Sequence, residues 1–240
     1  MKKLLLFVFL HLALSVMSQT LVREGGLLFS IDSEDSRCAT IIGNEINEPV
    51  FLVIPDTVIH NDIPYVVKKI DNEAFKDNQN IYSVSMPSSI KEIGKGAFQN
   101  CKKLKNISFP DSLVNIMESA FQNCCLIERI ELPSSLHAIS NYIFLGCSNL
   151  YDVKLPESLE EIGDGAFSQC ESLKNLEFPK SLKKLGDLAF ARCGFTEVTL
   201  PDDLIVIAPR LFSSCWSLKK IIIPAMVNEI GEYAFNQCGL

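Results

Sequence analysis

The pair Ala-Phe, or an apolar substitute for its first member, returns along this chain at an almost constant interval. It stands at Ala74-Phe75, Ala97-Phe98, Ala120-Phe121, Ile143-Phe144, Ala166-Phe167, Ala189-Phe190, Leu211-Phe212 and Ala234-Phe235, spaced by 23 residues with one spacing of 22. A unit this short cannot bury its own apolar residues. Each must stack on its neighbours, so equivalent side chains line up in rows inside one elongated body.

The rest of the unit repeats as faithfully. Three residues after each of the last seven Phe stands Cys101, Cys124, Cys147, Cys170, Cys193, Cys215 or Cys238, with Asn78 in the first unit. Downstream runs apolar-x-x-apolar-x-apolar-Pro, as in Leu104-x-x-Ile107-x-Phe109-Pro110 and Leu150-x-x-Val153-x-Leu155-Pro156. Alternation of the last two apolar residues around one polar residue is the period of a strand with one buried face. Pro then ends the strand because it has no N–H for a ladder. A second apolar pair follows, usually with Gly, as in Leu159-x-x-Ile162-Gly163. The short interval arises because Cys193 is separated from Phe195 by Gly194 alone, a deletion absorbed in the turn while Phe195-x-x-Val198-x-Leu200-Pro201 keeps the strand pattern.

The expected fold is therefore a β-rich solenoid of about 23 residues per coil. A parallel sheet lines one face, and short helical or 3-10 turns carry Ala-Phe on the opposite side. The motif Cys-x-x-Leu-x-x-Ile-x-Leu-Pro-x-x-Leu-x-x-Ile-Gly-x-x-Ala-Phe resembles the BspA-like, treponemal-type class of leucine-rich repeats over residues 70–240. The resemblance implies a curved leucine-rich-repeat solenoid and a secreted or cell-surface bacterial protein, some relatives being adhesin-like binders of host matrix proteins or other cells.

Residues 19–69 lack the full unit but hold three strand-like runs, 27–31, 39–43 and 50–54. They read as a β-rich cap over the first coil, the last run resembling a degenerate strand-Pro unit. Ahead of them, Met1-Lys2-Lys3, the apolar run Leu4–Met17 and Ser18 describe a secretory signal peptide over residues 1–18, too short for a membrane span. Without Lys2 and Lys3 the 22 basic residues become 20 against 29 acidic, a formal charge of −9. That balance argues against nucleic acid and anionic membranes, and no insertion in a membrane is expected after signal cleavage. At the other end, Cys238-Gly239-Leu240 matches Cys193-Gly194-Phe195, so the repeats are expected to stop without a C-terminal cap, as in a truncated or incomplete chain.

Nine Cys in an exported chain suggest disulfides, but seven share one column with Asn78. Equivalent residues on stacked coils have parallel Cβ vectors, so the column reads as buried thiols facing turn backbone. Cys38 and Cys125 lie outside it. Cys125 is expected to be exposed and the most reactive, with no bridge to Cys38. No metal site is expected, since the column has no Cys-x-x-Cys pair and only His60 and His137 remain after the leader. His137 reads as a solvated surface residue, the Gly residues fall at turns, and no catalytic or cofactor-binding set is recognised.

The outward strand positions are the candidate binding face. Ser85, Ser108, Glu131, Lys154, Glu177, Thr199 and Ile222 form one column, and Ser83, Asn106, Arg129, Asp152, Asn175, Glu197 and Lys220 another. These vary while the buried columns do not, as expected of a contact face and equally of drift on a solvated one. The candidates are Arg129, Glu131, Tyr151, Asp152, Lys154, Asn175, Glu177, Glu197 and Lys220. Tyr82 and Tyr151 share a column, and Trp216 sits at a turn; packing is the simpler account of each. Asn106-Ile107-Ser108 fits an N-glycosylation sequon, and Asp56-Thr57-Val58 and Asp111-Ser112-Leu113 fit a bacterial O-glycosylation pattern. The favoured function is non-catalytic recognition of a protein or glycan at the cell surface. The alternative is a structural spacer or assembly element of a larger surface protein.

Overall fold

The structure, a computed structural model, describes residues 20–31 and 37–240. The expected leader over residues 1–18 lies outside the described residues. Six strands open the described chain: β1 (Thr20–Glu24), β2 (Leu27–Ile31), β3 (Cys38–Asn44), β4 (Val50–Val53), β5 (Thr57–His60) and β6 (Ile63–Ile70). β1 and β2 form an antiparallel hairpin whose turn residues, Gly25 and Gly26, have φ of 58° and 78°. That left-handed pair matches the twist of the strands and is open to Gly at no steric cost. β3 pairs antiparallel with β2 and parallel with β6, and β5 folds back on β6 through Asn61-Asp62. The hairpin of β5 and β6 is an insertion between Pro55 and Val67, where later coils pass directly from Pro to the second apolar pair.

From β4 and β6 onward the chain winds in coils with two rows of short parallel strands. β4 begins the first row, followed by Ile81–Ser85 and Asn106–Ser108; Arg129–Glu131 pairs with Asp152–Lys154, and Glu197–Thr199 with Lys220–Ile222. The end of β6 begins the second row, continued by Glu92–Ile93 and Asn115–Ile116. Ala138–Ile139, Glu161–Ile162 and Lys184–Leu185 form its middle, and Val206–Ile207 with Glu229–Ile230 its last part. Pro between the rows breaks each coil into these pieces.

The side carrying Ala-Phe is built of hydrogen-bonded turns; among the described residues there is no helix. The reason is local. The residue before each Cys is left-handed, as at Asn100 (φ 61°), Gln169 (62°) and Arg192 (60°), and so is the one four positions earlier, as at Gly96 (60°), Ser119 (58°) and Leu188 (58°). Two left-handed residues per turn stop a helix from propagating. The N–H groups instead reach the next coil, Phe98 donating to the Ala120 carbonyl at 2.8 Å and Asn100 to that of Gln122 at 2.8 Å. Each non-Gly residue in this conformation costs on the order of 1 kcal/mol, which the intercoil bonds offset.

Between the rows and the turns runs a continuous core, which also takes in Phe29 and Ile41 of β2 and β3. The Phe residues of Ala-Phe stack one on the next: Phe75 on Phe98 with centroids 4.9 Å apart, Phe121 on Phe144 at 5.7 Å, Phe144 on Phe167 at 5.5 Å, and so on to Phe212 on Phe235 at 6.0 Å. Beside them runs the Cys column. Each Sγ donates to the Phe carbonyl of the preceding coil, from Cys101 to Phe75 at 3.0 Å through Cys238 to Phe212 at 3.2 Å. Asn78 fills the same place with its amide, donating to Asn44 Oδ1 at 2.7 Å and to the Ile46 carbonyl at 3.2 Å. At the Gly of Ile-Gly the coils come so close that a Cβ on Gly186 would lie 2.5 Å from Asp164 Oδ1 and 2.6 Å from its backbone N.

The first strand row is not continuous. Asn175–Glu177 joins no ladder on either side, and Asn106–Ser108 has no ladder with Arg129–Glu131. Both coils carry Phe, not Leu, before the closing Pro. Phe109 and Phe178 turn edge-on against Phe121 and Phe190, each at 5.6 Å and about perpendicular (63° and 69°). The larger ring lifts the strand end, whereas Leu132 and Leu200 stay buried with intercoil bonds to Lys154 and Ile222 at 3.1 Å. At Asn175–Glu177 the following coil adds the short turn: Gly194 packs so tightly that a Cβ there would sit 2.3 Å from the Glu171 carbonyl. The ladder is absent on both sides, although the spacing from Asp152 to Asn175 is the ordinary 23 residues and only that from Asn175 to Glu197 is 22.

Candidate binding face

Alternation along each short strand sends one residue inward and its neighbours out. Ile130 and Val153 are buried, which turns Arg129 and Glu131 outward on one coil and Asp152 and Lys154 on the next. Parallel register sets Arg129 beside Asp152 and Glu131 beside Lys154. Opposite charges therefore face each other, at 3.8 Å for Arg129 Nε to Asp152 Oδ2 and 3.4 Å for Lys154 Nζ to Glu131 Oε2. Arg129 also donates to the Tyr151 hydroxyl at 2.7 Å and lies 5.3 Å from the centre of its ring. The Tyr151 hydrogen bond, backed by the carboxylates of Asp152 and Glu128, pushes Arg129 up from its ordinary value. Glu197 and Lys220 form a like pair with the signs exchanged, three coils on, at 3.5 Å.

All nine candidate residues thus stand on one face, on five successive coils. They divide into two groups. Arg129 is bonded to Tyr151 and Asp152, and Glu131 to Lys154, across the same two coils. Asn175 and Glu177 lie on the unpaired segment, which with the coil beyond lines a groove of about 800 Å³. Glu197 and Lys220 border the same groove. Tyr151 is held by Arg129, and Tyr82 lies 6.5 Å from Phe51, so both tyrosines pack on neighbouring side chains. Trp216, on a turn, carries the Arg192 guanidinium 5.8 Å over its ring.

Several surface residues were not foreseen. Phe51 and Val53 of β4 are 76% and 70% exposed, and register places them beside Ser83 and Ser85 in the outward columns. The face therefore opens on an apolar end, passes through Ser and Asn, and becomes charged. Extending the outward columns back to Val50–Pro55 would have found this pair. Asp202, Asp203 and Lys180, which line the groove, follow Pro and so belong to no strand column.

The Cys column contains Cys101, Cys124, Cys147, Cys170, Cys193 and Cys215 as buried free thiols, with Cys238 half-buried. Burial pushes the Cys101 and Cys215 thiols up to about 12 and the other buried members well above the ordinary range. Cys125 is a free thiol too, but half-buried and not exposed, because its Sγ folds back to 3.4 Å from the Asn123 carbonyl. His137 is exposed with Nδ1 3.1 Å from the Ser158 carbonyl, and His60 pairs with Asn61 at 3.1 Å in the inserted hairpin. Among the described residues no group of three His, Cys, Asp or Glu could hold a metal ion, and no helix is long and apolar enough to cross a membrane.

Comparison with known proteins agrees with this architecture. The BspA type leucine rich repeat region matches residues 68–194 and 147–240. No curated protein sequence matches the chain. Among solved structures, a leucine rich repeat protein from T. pallidum is 26% identical, with a TM-score of 0.58, over 88% of this chain and 86% of that one. A leucine rich cell surface protein from Faecalibacterium prausnitzii is 19% identical, with a TM-score of 0.59, over 92% and 80%. The pneumococcal vaccine antigen PcpA is 22% identical, with a TM-score of 0.65, over 91% and 68%. The last two show likeness of fold alone. With its repeated Phe and Cys columns and a family match over more than half of its length, the chain belongs to the BspA-type leucine-rich repeat family.

Proposed function

We propose that this protein is a non-catalytic binding module of the secreted or cell-surface kind, whose ligand is a protein or glycan contacted by the first strand row. The observation that supports it is the division of labour within each coil. Inward positions repeat as Ile, Leu, Phe and Cys, while the outward ones change from Phe51 and Val53 through Ser83 and Asn106 to Arg129, Asp152 and Glu197. A row of side chains at fixed spacing on a stiff scaffold loses little freedom on binding, which favours recognition. A cell-surface setting is supported by the basic, apolar leader sequence and by the relatives described as cell-surface protein and vaccine antigen. In this reading residues 19–69 act as the cap and the leader is removed on export.

A spacer role is favoured by one feature, the self-satisfied pairs Arg129–Asp152, Glu131–Lys154 and Glu197–Lys220. Binding of the purified chain to an array of matrix proteins and glycans distinguishes the two. The contact reading expects a saturable signal that the combined changes Glu131→Lys, Lys154→Glu and Glu177→Lys weaken about tenfold, near 1.4 kcal/mol. Binding that survives those changes moves the site off this face, and no binding to any member leaves the spacer. Hydrolase activity lost on replacing His60 and His137 would overturn the non-catalytic reading.

A further inference from the structure

The interruption at Asn175–Glu177 does more than break a ladder. It opens a groove whose walls come from two adjacent coils, on the face that the preceding section takes as the contact surface, and the inference rests on that reading. Its floor is apolar, with Leu176 and Phe178 half-buried and Leu200 buried. Asn175, Leu176 and Glu177 line one wall, and their backbone groups join no ladder. Each of the other strands in this row keeps at least one paired neighbour.

Charge then selects the occupant. Four carboxylates, of Glu177, Glu197, Asp202 and Asp203, line the groove against the ammonium groups of Lys180 and Lys220. Lys220 is already engaged with Glu197 at 3.5 Å. Glu177, Asp202 and Asp203 have no basic partner within ion-pair distance among the described residues, in contrast to Asp152 and Glu131, one and two coils before Glu177. The surplus of acid calls for a cation, the apolar floor for a hydrocarbon side chain, and the open peptide groups for a partner with its own main chain. A Lys or Arg side chain supplies the first two together, its stem lying on apolar surface and its head among carboxylates.

We propose that the groove between Asn175–Lys180 and Glu197–Asp203 binds an extended peptide segment rich in Lys or Arg. The basic head groups meet Glu177, Asp202 and Asp203, the stems cover Leu176 and Phe178, and peptide groups of Asn175–Glu177 bond to the ligand backbone.

The test uses the purified chain and a fluorescein-labelled peptide of alternating Lys and Val, with the alternating Glu and Val peptide as its counterpart, read by fluorescence anisotropy. Saturable binding of the first and none of the second is expected. The triple change Glu177→Lys, Asp202→Lys, Asp203→Lys should weaken binding at least about tenfold, while Glu118→Lys, Asp187→Lys, Glu232→Lys, equal in charge but off the groove, should alter it less than about twofold. Phe178→Leu together with one Ser inserted after Gly194 should restore strand pairing and also lose the peptide. Because that variant could fail to fold, the surface triples carry the decision, with circular dichroism confirming that each is folded. Equal losses from the two triples would reduce the effect to net charge and overturn the proposal, as would no saturable binding. Loss of the array signal on changing Glu131 and Lys154, with no Lys-Val peptide binding, sinks the groove alone; failure of both measurements sinks the reading of the face as well.

Discussion

Replacing Phe144 by Ala removes one ring from the middle of the stack, with consequences that the geometry allows to be sized. The side chain is fully buried and lies between Phe121 at 5.7 Å and Phe167 at 5.5 Å. Truncating a buried Phe costs about 3–5 kcal/mol through lost transfer energy and the cavity left behind. Aromatic contacts contribute about 0.5–1.5 kcal/mol each beyond burial, and here two are lost, which places the change at the upper end of that range. Phe235 makes the useful comparison. It is half-buried and stacks on Phe212 alone, at 6.0 Å, so its truncation should cost about 1–2 kcal/mol. Urea unfolding followed by circular dichroism reads both variants. In a solenoid stabilised by nearest-neighbour contacts, loss at Phe144 should also broaden the transition or split it in two, because the halves on either side lose their coupling. Equal costs at Phe144 and Phe235, or a cost below about 1 kcal/mol at Phe144, would refute the view that the stacked column holds the coils together.

Other perturbations test other columns. Because burial raises the Cys101 and Cys215 thiols to about 12, the native chain keeps protons that the unfolded chain loses above about 8.5, so stability is fully present below that pH and falls as pH rises toward 12. Urea midpoints at neutral pH and near pH 10 should show this fall, and Cys101→Ala with Cys215→Ala should make it shallower without abolishing it, since Cys124, Cys147, Cys170 and Cys193 remain buried and raised. Alkylation by iodoacetamide at neutral pH, followed by mass spectrometry, should modify Cys125 while Cys124 and Cys147 stay protected until denaturant is added; equal labelling would contradict the burial. Gly186→Ala should destabilise by about 1–3 kcal/mol in the same urea assay, since its Cβ would meet backbone and side-chain atoms of Asp164 at 2.6 Å and 2.5 Å. A neutral result there would mean that adjacent coils are not in the close contact described.

Most of the solenoid could be read from the chain because its signals are periodic. The strand rows, the Phe stack and the thiols facing turn carbonyls follow from residue types repeated at one spacing, and any one of them would have been weak alone. The turns were harder. Left-handed residues occupy positions as varied as Ser119, Tyr142, Leu188 and Arg192, so no side-chain type marks them; what stabilises them is a backbone hydrogen bond to the next coil, as from the Ser119 N–H to the Asn141 carbonyl at 3.0 Å. The face was partly legible. Its outward columns pair residue for residue at Arg129–Glu131 with Asp152–Lys154 and at Glu197–Thr199 with Lys220–Ile222, while Asn175–Glu177 pairs with neither neighbour, and the apolar start at Phe51 and Val53 was hidden because the inserted hairpin of β5 and β6 displaces Pro55 from the next repeated landmark. The groove was illegible as a site, because residues 173–179 keep the same apolar pattern as the paired coils and nothing in it marks the strand that has lost both partners.

The energetics explain how a solenoid can tolerate such a groove. Unpairing Asn175–Glu177 gives up ladder hydrogen bonds worth about 0.5–1.5 kcal/mol each, the lower end applying where water can still reach the groups, as it does on this exposed segment. Phe178 recovers part of this through its edge-on contact with Phe190, a gain of about 0.5–1.5 kcal/mol that Leu could not supply. The stack beneath is undisturbed, since Phe167 and Phe190 remain nearly parallel, 4° apart, with centroids at 5.6 Å. Surface pairs such as Glu131–Lys154 add only about 0–1 kcal/mol. Stability therefore sits in the inner columns, and the strand face above them can open, change sign or acquire a ligand with little effect on folding. This coupling is testable: if Phe178→Leu closed the ladder and stabilised the chain by more than the lost rungs could account for, the groove would be a defect of packing and not a feature that packing permits.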